Sequence, residues 1–196
     1  KIGLSIIDNK EFSNPSNLHF YSNENHKICD LNLSRFNSEE CKYTTLKRSV
    51  LIEFLKNKLF ANNLRFGKEV KKISKIKEKL LINFKDNTND LVDFIVVSDG
   101  VFSNTKSIVE NKSIQPVYNG SIAVRTILKN LPESNYDKNS ISLIMLNNAH
   151  IVIYPINKKG ELNVVCIIRQ KLSNNIDLKV LIKKEIISQN KNLESL

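Results

Sequence analysis

Asp99, Gly100 and Ser103 are the residues of this 196-residue chain whose types and spacing point most directly to ligand chemistry. They follow the continuous apolar run 94–97, which reads as a buried strand. Asp99-Gly100 supplies a tight turn, and Ser103 stands where a helix N-cap belongs. Strand, turn and helix start in that order open a crevice at a strand's carboxyl end, where α/β folds hold nucleotides. Asp-Gly alone is most often a hairpin turn, but the residues after it do not alternate as a returning strand would. Lys47 and Arg48, in the first turn of a predicted helix, are a second candidate. The helix macrodipole is positive at that end and disfavours each cation by about 0.3–1 kcal/mol, so the pair suits a bound anion. The plainer alternative is two solvated surface charges.

Side chains able to catalyse a reaction by themselves do not assemble in the sequence. No Ser-His-Asp or Cys-His order is supported, no carboxylate pair is poised by its context, and no P-loop is present. His19, His26 and His150 lie far apart without metal-ligand spacing, so no metal is expected. Cys29, Cys41 and Cys166 form no close pair, and their odd number argues against a disulfide framework, which makes a reducing cytoplasm the expected compartment. This inventory suits a cofactor enzyme, in which the bound group performs the hard step and the protein orients and shields it.

The elements that must position these residues are read from periodicity. Residues 18–33 alternate around a polar turn at 22–27, the pattern of a β-hairpin. Leu46, Val50, Leu51, Phe54, Leu55 and Leu59 fall on one stripe of a 3.6-residue period, predicting an amphipathic helix capped by Thr44 or Thr45. Residues 64–94 read as a β-meander with a turn at 86–90. The basic run "KEVKKISKIKEK" at 68–79 has apolar residues at helix-like intervals and equally admits an extended edge strand. Beyond Pro116 four β-rich runs follow, at 120–128, 141–146, 151–154 and 162–169. Leu178, Leu181, Ile182 and Ile186 close the chain at helical spacing.

At 41% hydrophobic residues the chain can bury a core; its formal charge of +10 is spread along the sequence, and the densest basic run, 68–79, has no interleaved aromatics on which bases could stack. Nucleic-acid binding is therefore not expected. No apolar run is long enough to span a bilayer, and the start lacks the organisation of a signal peptide.

An apolar strand, then Asp99-Gly100, two residues, Ser103, two residues and the basic Lys106 resembles the "DG" motif of FAD-dependent aromatic hydroxylases of the salicylate, para-hydroxybenzoate and ubiquinone-biosynthesis type. The family usually carries Arg at the last place, so Lys106 is a departure, a point charge without the bidentate fork. Further matches run in the family's order: "KIGL" at 1–4, "YTTLKRSVLIEFL" at 43–55, "YNGSIAVR" at 118–125 and "HIVIYPINKKGELNVV" at 150–165. The opening residues could also be the second strand of a Rossmann unit with Asp8 as its ribose acid, but no G-x-G-x-x-G precedes them.

The resemblance implies an α/β protein, α+β within this chain: part of an FAD-binding Rossmann-like domain plus an antiparallel substrate-domain sheet. It assigns 1–115 to a partial FAD-binding domain with hairpin and meander insertions, 116–175 to the substrate-binding sheet and 176–196 to the start of a helical segment. The chain is then the middle piece of the enzyme, with the Gly-rich motif expected upstream and a Gly-Asp motif downstream. The implied activity is hydroxylation of an aromatic or quinone-precursor substrate with FAD, NADH or NADPH, and O₂. Arg48, Asp99, Gly100, Lys106 and Arg125 are the implied cofactor contacts, and Tyr154 and Pro155 the implied substrate contacts. The alternative is a non-catalytic basic α+β module that binds nucleic acid or another anionic partner.

Overall fold

Strand alternation shapes the larger of two units. The computed structural model describes residues 7–38, 41–60, 63–129, 137–171, 177–190 and 193. The chain divides into Lys1–Lys58 with Asn119–Leu196, and Leu59–Tyr118. In the first unit, β1 (Phe12–Ser13) pairs with β4 (Thr45–Leu46), and a six-stranded sheet takes the order β3 (Lys27–Asn32), β2 (Asn17–Tyr21), β9 (Ile141–Met145), β10 (Ala149–Pro155), β11 (Leu162–Arg169), β8 (Ser121–Leu128). The expected hairpin is present, with β2 (Asn17–Tyr21) antiparallel to β3 (Lys27–Asn32). The four late runs are β8 (Ser121–Leu128), β9 (Ile141–Met145), β10 (Ala149–Pro155) and β11 (Leu162–Arg169), paired antiparallel. β2 also lies parallel beside β9, Leu18 opposite Ile141, which makes the sheet mixed. That contact has no local signature, because a parallel pair is never closed by a short turn.

Every second residue of β10 is buried: Ala149, Ile151, Ile153 and Pro155. Ile144, Ile151, Ile153, Cys166 and Ile168 form the core with Leu181 and Ile186 from the C-terminal helix. A fully buried isoleucine contributes about 1.5–3 kcal/mol, so this layer supplies most of the unit's apolar stabilisation. Helix α3 (Leu178–Ile182) starts at Asp177, whose carboxylate accepts from the Lys179 and Val180 N–H groups at 2.9 and 3.2 Å, and continues into one π-helical turn. Leu178, expected on its apolar stripe, is instead 47% exposed in the first turn.

Helix α1 (Arg48–Asn57) forms where its period places it, but Lys47 holds the cap position and no side chain caps it among the described residues. Thr45 is not the cap because it is used elsewhere. It lies in β4, and its hydroxyl donates to the Pro155 carbonyl at 2.5 Å. Thr44 accepts from the Asn14 side-chain amide at 3.0 Å.

In the second unit, β5 (Val70–Ile76), β6 (Lys79–Phe84) and β7 (Asn89–Val92) make an antiparallel meander. The run 68–79 thus takes the extended form, as an edge strand ended by Lys77 in the left-handed region at φ 53°. The buried strand expected at 94–97 does not form: these residues join no ladder among the described residues, and Phe94 and Val96 are 75% and 77% exposed. A continuous apolar run is stable as a strand only when pairing flanks it and layers cover both faces. Among the described residues of this unit, only Ile82 and Phe84 are buried hydrophobics, so no such cover exists. Helix α2 (Asn104–Glu110) follows. The motif at 1–4 lies outside the described residues, and Asp8 caps a 3-10 turn by accepting from the Lys10 N–H. No helix among the described residues is long and apolar enough to cross a membrane.

Burial pushes the Cys166 thiol up to about 11, whereas Cys29 and Cys41 are exposed. Because the thiolate is the reactive form, brief alkylation of the folded protein at neutral pH is expected to label Cys29 and Cys41 and spare Cys166, as read by peptide mapping. Equal labelling of all three would show that the sheet core is not closed.

Candidate functional site

The Asp99-Gly100 turn is built from local chemistry. Gly100 sits at φ 90°, a conformation that side-chain-bearing residues rarely adopt, and a Cβ there would meet nothing within 4 Å. Glycine is therefore required here by backbone geometry and not by space. The Ser103 N–H returns to the Gly100 carbonyl at 3.2 Å, and the Ser103 hydroxyl accepts from the Lys106 N–H at 3.0 Å as the N-cap of α2, as its position predicts. Hydrogen bonds from the Ser103 side chain and then the Thr105 side chain hold the Asp99 carboxyl below the usual carboxylate range. A cavity of about 500 Å³ opens beside this turn, lined among others by Lys68, Val96, Ser98, Asp99, Phe102 and Thr105. That is the size of a small-molecule cleft. Lys106 is exposed in the first turn of α2.

In the other unit, Arg48 is the first residue of α1 and is exposed, with no ion pair among the described residues. Lys47, its neighbour, is neutralised: its ammonium lies 2.5 Å from the Glu161 carboxylate, whose side chain is only 13% exposed. The two cations that looked equivalent in sequence are therefore not equivalent. The uncapped terminus leaves its first N–H groups open to an anion.

Cross-strand register places Arg125 opposite Val165, Val165 opposite Val152, and Tyr154 two residues along β10 from Val152. Arg125 and Tyr154 accordingly share one face of the sheet, the one opposite the core. Pro155 points to the other face, is buried, and presents its carbonyl to Thr45. The structure thus brings Arg125 and Tyr154 together on a face and gathers Asp99, Gly100 and Lys106 around one turn. Arg48 and Pro155 are linked only indirectly, through Thr45 and β4. Sequence reasoning gave Thr45 only the role of a helix cap and missed Glu161 and the buried Asn157, which donates to Glu161. Their partners lie on other elements, and no spacing rule connects position 45 with 155 or 47 with 161.

Within the larger unit, exposed Arg48 stands at an uncapped helix start and exposed Arg125 lies on the sheet face opposite the core; in the second unit, the glycine-centred turn lies beside a cleft. They do not favour a nucleic-acid surface. In the basic run and beside it, Lys68, Lys79 and Lys85 pair with Asp86, Asp93 and Glu69. No group of metal-binding side chains occurs among the described residues.

No protein-family model matches the sequence, and no curated protein matches it. Solved structures do. HpxO of Klebsiella pneumoniae, complexed with FAD and uric acid, superposes with a TM-score of 0.79 over 96% of this chain and 50% of its own, at 14% identity. A salicylate hydroxylase substrate complex gives 0.75 over 98% and 53%, at 13% identity. The 2,6-dihydroxypyridine-3-hydroxylase of Arthrobacter nicotinovorans gives 0.66 over 88% and 44%, at 15% identity. The α+β fold is the one found in these hydroxylases, and the chain spans about half the length of the structures it matches.

Two outcomes test the turn. Ser103→Ala is expected to lower the stability of α2 by about 1 kcal/mol, the worth of an N-cap, measured by amide exchange at Asn104 to Lys106. Because Asp99 is held below its ordinary range, its contribution is complete above that range and lost as pH falls through the depressed value. Asp99→Asn should therefore flatten the acid loss of protection at the same amides; an unchanged acid profile would remove Asp99 from the turn's support.

Proposed function

We propose that the complete protein is an FAD-dependent monooxygenase that hydroxylates an aromatic or quinone-precursor ring, using NADH or NADPH and O₂. The observation that supports this reading is the superposition of almost the whole chain on FAD-bound HpxO, beside an Asp99-Gly100 turn and a Ser103 cap that form at the positions of the resembling motif. When bound, FAD supplies electron transfer and oxygen activation: two electrons from NAD(P)H, one oxygen atom to the ring, the other released as water. This chain's residues bind, orient and shield.

Arg48 is assigned to a cofactor phosphate, since its guanidinium has no competing carboxylate among the described residues and stands where the helix N–H groups add to the same field. Asp99 offers a carboxylate that stays charged at neutral pH and accepts hydrogen bonds from the cofactor. Gly100 turns the backbone away so that the cofactor comes close, and Lys106 adds a point charge at the next helix start. Arg125 faces the flavin or an anionic substrate group, and Tyr154 stands on the same face as the aromatic substrate's contact, with Pro155 fixing its backbone from behind. Three unpaired cysteines agree with a cytoplasmic setting.

The full-length protein is expected to purify yellow and to oxidise NAD(P)H faster with an aromatic effector present. Arg48→Ala should weaken FAD binding by roughly 1.5–3 kcal/mol, the worth of a charge-assisted hydrogen bond, measured by flavin fluorescence. Gly100→Val and Asp99→Ala should impair FAD or NAD(P)H use while leaving the protein folded. A flavin-free full-length protein, or normal flavin content and turnover in Asp99→Ala, would remove the basis for the assignment.

A further inference from the structure

Glu161 precedes β11 in the turn that joins it to β10, remote in sequence from any residue assigned above to the cofactor. Its carboxylate meets the Lys47 ammonium at 2.5 Å and the Lys129 ammonium at 3.9 Å, and it accepts from the Asn157 side-chain amide. Asn157 is itself buried, and its carbonyl oxygen accepts from the Lys159 and Glu161 N–H groups at 2.9 and 3.2 Å. The carboxylate is thus aimed by a closed turn. The Lys47 ammonium holds it below the usual carboxylate range, so it remains charged across the neutral range.

The same turn is fastened at three other points. Lys159 pairs with Glu11, the Lys158 N–H donates to the Lys10 carbonyl at 3.1 Å, and Thr45 donates to the Pro155 carbonyl at 2.5 Å. Thr45 lies in β4 and Lys47 follows that strand, which runs directly into α1, and the first helical bond of α1 is the Leu51 N–H to the Lys47 carbonyl at 3.2 Å. Whatever fixes Lys47 therefore fixes the direction in which Arg48 leaves the helix. It also removes Lys47 as a competitor for an anion at that terminus.

We infer that Glu161 is a positioning residue: through Lys47 it sets the start of α1 and so aims Arg48 at the cofactor phosphate. This rests on the cofactor reading of Arg48. It adds that the β10–β11 turn, which follows Tyr154-Pro155 on the substrate face, and the phosphate-side helix are one mechanical piece. A change at that turn should reach FAD affinity without touching FAD.

The test uses the full-length protein and FAD titrations of Glu161→Gln, Arg48→Ala and the double variant. Glu161→Gln is expected to weaken FAD by about tenfold, a typical coupling within one charged network. In the Arg48→Ala background it should have almost no further effect, because nothing is left to aim. In the FAD-free protein, amide exchange at Leu51, the first bonded amide of α1, should quicken in Glu161→Gln. Thr45→Val, which cuts the second tie and leaves every charge in place, should shift exchange and affinity the same way. Normal FAD affinity in Glu161→Gln beside a weakened Arg48→Ala would overturn the positioning role alone, as would losses that simply multiply in the double variant. Unchanged affinity in Arg48→Ala would overturn the cofactor reading and this inference together.

Discussion

A strand can bury only every second side chain, and most of the larger unit follows from that constraint. Once Ile151 and Ile153 of β10 and Cys166 and Ile168 of β11 are committed to the core under α3, Val152, Tyr154 and Val165 must face the other way. Arg125 is carried to that second face by its pairing with Val165. A one-residue slip in any of these ladders would put an arginine into the core, at a cost of several kcal/mol for an unpaired charge, so the placement of Arg125 is enforced by the burial of residues with no chemistry of their own.

Electrostatics then separates residues that the sequence makes look alike. Lys47 and Arg48 are adjacent cations at one helix terminus, and the macrodipole opposes both. Glu161 relieves the first, at 2.5 Å and with little solvent to screen it. A part-buried carboxylate between two lysines is a modest source of net stability and a good fixer of geometry. The second cation keeps its repulsion with the helix end. Under the proposed function, Arg48 is matched to the cofactor phosphate, because no carboxylate among the described residues pairs with it.

Local signals were legible in the sequence and non-local ones were not. The hairpin at β2–β3, the four late strands, α1, the Ser103 cap and the glycine turn all follow from residues within a few positions of one another. The parallel pairing of β2 with β9 spans more than a hundred residues and leaves no periodic trace. Thr44 and Thr45 had the right chemistry for a cap, but Thr45 found a better acceptor in the Pro155 carbonyl, 110 positions away. At 68–79 the competing periods were settled by pairing with β6, since a half-buried edge strand tolerates lysines on its open face as an amphipathic helix does.

The segment around Asp99 shows the same division within a dozen residues. Its apolar half, 94–97, has the composition of a buried strand and takes no ladder among the described residues, because such a strand owes its stability to neighbours on both sides. Its polar half forms fully: Gly100 supplies the left-handed step, Ser103 closes the turn and caps α2, and Asp99 is hydrogen-bonded into both. Hydrogen bonds that close within four residues carry a small entropic cost of loop closure and need no core to offset it, whereas strand pairing does. The turn is thus preformed independently of the strand that leads into it. A ligand that bound there would meet an ordered set of backbone groups and a fixed carboxylate.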